Sequence, residues 1–172
     1  MSEVWQALRD ELTISPGDLS LLVRHGLRLL LATACGGMLG LEREWAGKIA
    51  GLRTHMLTAA GVALFVLVAG MADSAALSRV VQGVATGIGF LGAGVILKRA
   101  EERRIFGVTS AAGVWMTAAV GVAAAAGRPG LALAGTLLAL LILTVLGWLE
   151  RCVEKPKNGQ ESSGEAHPGG GH

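Results

Sequence analysis

Apolar residues in this chain run in long blocks rather than alternating with polar ones. Four blocks carry no Asp, Glu, Lys or Arg: Met56–Ala72, Val80–Leu97, Gly107–Gly127 and Pro129–Leu149. A helix needs about 20 mostly apolar residues to cross a bilayer, with a range of roughly 17–25. Each block therefore predicts a membrane span. Leu21–Leu41 is interrupted by Arg24, His25 and Arg28 and is read as a fifth span. A soluble fold would have to bury five helices that are apolar on all faces inside one small domain, which is implausible. The predicted fold is all-α, a polytopic membrane helical bundle of about five transmembrane helices.

The connections support that division. Gly127-Arg128-Pro129 joins the last two spans, with Gly127 suited to a helix end and Pro129 to a first helical position. Val4, Trp5, Leu8 and Leu12 share one helical face, so residues 2–12 predict an amphipathic helix on the membrane surface. Ser15-Pro16-Gly17-Asp18 ends it, and Asp18 or Ser20 is placed to cap the first span. No cleavable signal peptide is expected, because the first twenty residues are polar and hold five charges. The organisation is an N-terminal segment over 1–20, a membrane domain over 21–150 and a disordered tail over 151–172. His167 and His172 in that tail are read as solvated rather than as metal ligands.

Composition sharpens the class. Hydrophobic residues make up 52% of the 172 and charged residues 16%, against about 25% charge in a soluble domain. The 26 glycines suit helices packed closely in lipid. A net charge of +2 with no basic stripe excludes a nucleic-acid surface. Cys35 and Cys152 form neither a disulfide framework nor a metal motif, and Cys35 is read as small apolar filler. Lys and Arg placement sets orientation. One side receives ten basic residues and the other three. This puts the N-terminus outside and the C-terminus in the cytoplasm.

The connection EREWAGKIAGLRTH, residues 42–55, gathers six ionisable side chains between two apolar runs. Topology accounts for Arg43, Lys48 and Arg53 as cytoplasmic basic residues. It leaves Glu42, Glu44, Thr54 and His55 without an explanation, since acidic residues add little to orientation. A first helix continuing to residue 44 would set the two glutamates about 200° apart. They would then pair across the turn with Arg53 or His55. The functional reading is a hard-cation site, because Mg2+ is commonly held by one or two carboxylates while keeping several waters. Glu42 and Glu44 are the candidate metal ligands. Arg28 falls roughly 10 Å along the first span, where an unpaired charge is costly. Gln82, Thr86 and backbone carbonyls are its available partners, or a watery cavity.

Gly87, Gly89 and Gly92 match G-x-G-x-x-G in form only. A dinucleotide site needs a preceding strand, and these glycines lie inside a span. Gly36/Gly40 and Gly83/Gly87 are G-x-x-x-G pairs that favour close helix packing. The sharper reading of Gly87, Gly89, Gly92 and Gly94 is a helix break lining an ion path. Thr109 and Ser110 open the fourth span, and Trp115 is expected to pack between helices. The connection KRAEERR over 98–104 reads as a solvated cytoplasmic loop. No nucleophile–base pair or zinc spacing is present, so no enzyme activity and no bound cofactor are expected.

Three blocks carry a resemblance. GLEREWAGKIAGLRTHMLTAAG, QGVATGIGFLGAGVI and VTSAAGVWMTAAVG resemble, in order, the motif blocks of the MgtC/SapB family of bacterial inner-membrane proteins. Val108 and Ser110 stand where the family pattern has Leu and Thr. The match spans roughly residues 28 to 127. The resemblance implies a small polytopic domain tied to growth when magnesium is scarce, with Mg2+ as ligand or substrate. Its motif positions here are Glu42, Arg43, Glu44, Lys48, Gly51, Arg53, Thr54, His55, Gln82, the glycines at 87, 89, 92 and 94, Thr109 and Trp115. Longer members carry a soluble C-terminal domain that this chain is expected to lack. Two functions follow from the resemblance. One is a Mg2+ transporter, expected to be a homo-oligomer. The other is a regulator that binds a membrane protein such as the proton-translocating ATP synthase.

Overall fold

A computed structural model describes residues 4–6, 16–71, 73–99 and 104–149. Its elements are helices α1 (Pro16–Trp45), α2 (Leu52–Gly70), α3 (Ser74–Val95), α4 (Val108–Ala125) and α5 (Pro129–Leu141). A short antiparallel hairpin, β1 (Leu97–Arg99) and β2 (Arg104–Phe106), joins α3 to α4. After α5 the chain makes one π-helical turn, Ile142–Leu146, and returns to α-helix. Among the described residues, five helices are long and apolar enough to span a membrane. The chain is an all-α polytopic bundle. Residues 4–6 are helical, with Val4 and Trp5 exposed. The rest of the expected surface helix over 2–12 and the tail over 151–172 lie outside the described residues.

The boundaries differ from the charge-free blocks where a cap replaces hydrophobicity as the signal. Asp73 caps α3, its carboxylate accepting from the Ala76 amide at 2.6 Å, so that helix starts at Ser74 rather than Val80. Arg79 then sits within the helix. α2 starts at Leu52 rather than Met56, placing Arg53, Thr54 and His55 in its first turn. α3 runs unbroken through Gly87, Gly89 and Gly92 to Val95, against the expectation of a helix break. A break in hydrocarbon would free amides and carbonyls with no water to satisfy them. Residues 98–104 are not a plain loop, because both ends of that connection pair in the β1–β2 hairpin.

α4 is the central element and packs against the other four helices. Half of its eighteen residues are Ala or Gly, which lets the neighbours approach closely. Its buried face runs Ser110, Gly113, Val114, Thr117, Ala118, Gly121 and Ala124. Trp115 projects from the opposite face and is 52% exposed, so it does not pack between helices. The small side chains of the buried face leave no room there for an indole. Cys35 is a free, buried thiol packed with Ala32, Ala63, Val66 and Val120. Thr117 and Thr136, both fully buried, donate to carbonyls four residues back in their own helices. Their hydroxyls need no partner from another helix.

Candidate functional site

The charged connection folds as two helix caps facing each other. α1 ends in a Schellman turn. The Lys48 amide donates to the Arg43 carbonyl at 3.0 Å and the Gly47 amide to the Glu44 carbonyl at 3.0 Å. Gly47 takes a φ of 65°, a left-handed conformation that suits glycine. Six residues after α1 ends, Gly51 occupies the N-cap of α2 and has no side chain to cap with. Glu44 supplies the missing acceptor. Its Oε2 accepts from the Leu52 amide at 2.7 Å. A carboxylate is favoured there twice over, by the free amides of the first turn and by the positive end of the helix dipole. A Cβ at Gly51 would run into the Glu44 carboxylate.

Glu42 faces elsewhere. Both of its oxygens engage the Arg43 guanidinium as a two-pronged ion pair, with Nη2 2.6 Å from Oε1. Arg43 is 3% exposed. A buried guanidinium without its carboxylate would be strongly unfavourable. The glutamates thus hold separate partners, as a helical α1 reaching residue 44 requires, but neither pairs with Arg53 or His55. Among the described residues, no group of three or more His, Cys, Asp or Glu side chains is placed to hold a metal ion.

His55 is fully buried one turn into α2. Its Nδ1 lies 3.0 Å from the Gly51 carbonyl oxygen, which only accepts, so the ring hydrogen belongs on Nδ1. Nε2 is then left as a buried lone pair with no hydrogen-bond partner among the described residues. It points at Gly113 of α4, where an added Cβ would lie 3.5 Å away. The backbone around His55 is held by the close approach of α1. A Cβ on Gly36 would fall 2.7 Å from the His55 carbonyl oxygen, and one on Gly40 2.7 Å from the Leu52 Cα. Gly36, Gly40 and Gly113 are thus what allows a histidine to be enclosed between three helices.

Arg28 does not sit alone in the bilayer interior. α1 begins at Pro16, five residues before the expected span, and Arg28 reaches the C-terminal end of α4. Its Nη1 donates to the Ala125 carbonyl at 3.2 Å. α4 ends in a second Schellman turn, with Gly127 at a φ of 75° and its Cβ position taken by the Arg28 guanidinium. A cation at the negative end of a helix is favourable. Arg28 is therefore a cap at the turn between α4 and α5 rather than a charge in a cavity.

The other motif positions scatter. Lys48, Arg53, Thr54 and Thr109 are exposed beside the charged end or at the start of α4. Gln82, Gly87, Gly89 and Gly94 are exposed on α3, and only Gly92 of these glycines is buried, against Ala111. The sequence reading did not single out Gly113. Its signal was the G-x-x-x-T-x-x-x-G spacing of Gly113, Thr117 and Gly121.

The profile of the MgtC family matches residues 29–152. Protein SrpB of Synechococcus elongatus is 47% identical over 137 residues, covering 72% of this chain and 75% of that protein. YhiD of Escherichia coli strain K12, named as a candidate magnesium transporter, is 44% identical over 128 residues, covering 69% of this chain and 59% of YhiD. Protein MgtC of Salmonella typhimurium is 38% identical over 120 residues, covering 70% of this chain and 51% of MgtC. This chain thus spans between half and three quarters of the length of these relatives. No solved structure matches it. With its three motif blocks placed at the α1–α2 end, on α3 and on α4, the chain belongs to the MgtC family.

Proposed function

We propose that this chain is an inner-membrane protein of magnesium homeostasis that moves Mg2+, and that the ion first meets it at the α1–α2 end. The observation that carries the reading is Glu44. It is exposed, yet its position is fixed by the bond to the Leu52 amide. A carboxylate held in place at a membrane boundary suits an ion that keeps most of its waters and takes only one or two carboxylates. Glu42, clamped by the buried Arg43, is the second carboxylate on this end. The name of the Escherichia coli relative and the family membership support the same ion. The excess of Lys and Arg within residues 42–55, 98–104 and 151–157 supports a cytoplasmic location for this end.

Transport is tested by Mg2+ influx into proteoliposomes loaded with a Mg2+-sensitive dye. Influx above empty liposomes, reduced in Glu44→Gln protein that still inserts and folds, is the expected result. Correctly inserted wild-type protein that admits no Mg2+ would move the function to regulation of another membrane protein.

A further inference from the structure

A cavity of about 570 Å3 opens between α2 and α3. Its wall is apolar, from Val62 and Phe65 on α2 and Val80, Val84 and Ile88 on α3. Gly83 and Gly87 form part of the α3 side, and a Cβ on either would meet nothing within 4 Å. Among the described residues, the single charged side chain at the cavity is Arg79. It has no ion pair or hydrogen bond among the described residues.

The position of Arg79 along α3 indicates what the cavity fits. It is the last charged residue before the charge-free stretch from Val80 to Leu97, so it marks one edge of the hydrocarbon. From Arg79 to Ile88 the helix rises about 13–14 Å, at about 1.5 Å per residue. That is close to one leaflet, roughly half of a 30 Å core. The groove therefore runs from head-group level to about the bilayer midplane, with a cation at its polar end. Its volume falls within the range of about 300–1,000 Å3 usual for small-molecule sites.

We infer that this groove binds an anionic phospholipid from the leaflet on the side of the α2–α3 turn. One acyl chain lies between Phe65 and Val84, and the phosphate pairs with Arg79. A guanidinium matches phosphate through paired charge-assisted hydrogen bonds. The competing occupant is a second copy of the chain, packed through Gly83 and Gly87. Two copies in the same membrane share one orientation. Groove against groove about a two-fold axis would then bring Arg79 to the same depth as its own copy, charge against like charge. A lipid phosphate removes that conflict.

The test is native mass spectrometry of the full chain, purified in mild detergent and titrated with phosphatidylglycerol or phosphatidylcholine. Wild-type protein should retain phosphatidylglycerol over phosphatidylcholine, and Arg79→Gln should cut that preference roughly fivefold or more. Arg79→Lys should keep part of it. Gly87→Phe, whose side chain enters the open groove, should lower retention of both lipids while thermal unfolding shows a folded protein. Equal retention of the two lipids by wild-type protein would overturn the proposal, as would unchanged preference in Arg79→Gln. If Gly87→Phe alters oligomeric mass and leaves lipid retention unchanged, the groove is an interface between copies and the proposal fails.

Discussion

Gly36→Ala and Gly83→Ala are the same chemical change at the same position of two G-x-x-x-G pairs, and they should have opposite effects. On α1, the new methyl would lie 2.7 Å from both the Ala59 Cβ and the His55 carbonyl oxygen. Carbon atoms pack at about 3.5–4.0 Å. Relief therefore requires α1 and α2 to part by about 1 Å, since a backbone carbonyl cannot rotate away. Overpacking of this kind costs about 1–3 kcal/mol. On α3, the Gly83 methyl meets nothing within 4 Å. There the gain in helix propensity, about 0.5–1 kcal/mol, stands unopposed. The two variants should differ by about 1.5–4 kcal/mol in stability. The assay is unfolding in detergent micelles, by heat or by titration with a denaturing detergent, followed by circular dichroism. Gly36→Ala should unfold earlier than wild type and Gly83→Ala at the same point or later. Equal shifts in one direction would refute the assignment of close packing to α1 and open surface to α3. Gly36→Ala should also lower Mg2+ influx by displacing His55 and Leu52, whereas Gly83→Ala should leave it intact.

Two further outcomes follow from the caps and the buried pair. Arg28→Leu removes the guanidinium from the end of α4 and should cost about 1–2 kcal/mol, whereas the exposed Arg24→Leu should be near neutral; equal unfolding midpoints for the two would contradict the cap. Glu42→Gln leaves Arg43 buried without its counter-charge and should destabilise by about 3–5 kcal/mol, read from the same unfolding transition. The double variant Glu42→Gln/Arg43→Met should recover much of that loss, and a double variant no more stable than the single one would show that the loss does not come from an unpaired Arg43 charge.

The architecture was legible because a bilayer imposes a simple requirement. Charge-free runs long enough to cross it mark the spans, and Gly127 with Pro129 marks a turn. What was not legible depends on partners distant in sequence. Arg28 looked stranded because its depth was counted from Leu21, and the carbonyl it caps lies 97 residues further on. Gly36/Gly40 and Gly83/Gly87 read identically as a motif, yet only the first pair has another helix against it. Glu44 and Gly51 read as a carboxylate and a loop glycine. Only the fold makes one the cap of a helix that the other leaves uncapped. For Trp115, the alanine-rich turns around it gave no indication of which face would meet the core. His55 was suspected from its place at the mouth of α2, but its enclosure by three glycines on α1 and α4 was hidden.

The central claim is that Mg2+ meets the protein at the carboxylate that caps α2. It is tested most directly by Mg2+ influx into proteoliposomes, comparing wild type with Glu44→Gln. A glutamine at 44 keeps a carbonyl oxygen for the Leu52 amide and loses the charge. The account predicts clear influx for wild type and severely reduced influx for Glu44→Gln at matched insertion and folding. Full influx through the Glu44→Gln variant, or none through a folded wild-type protein, would contradict it.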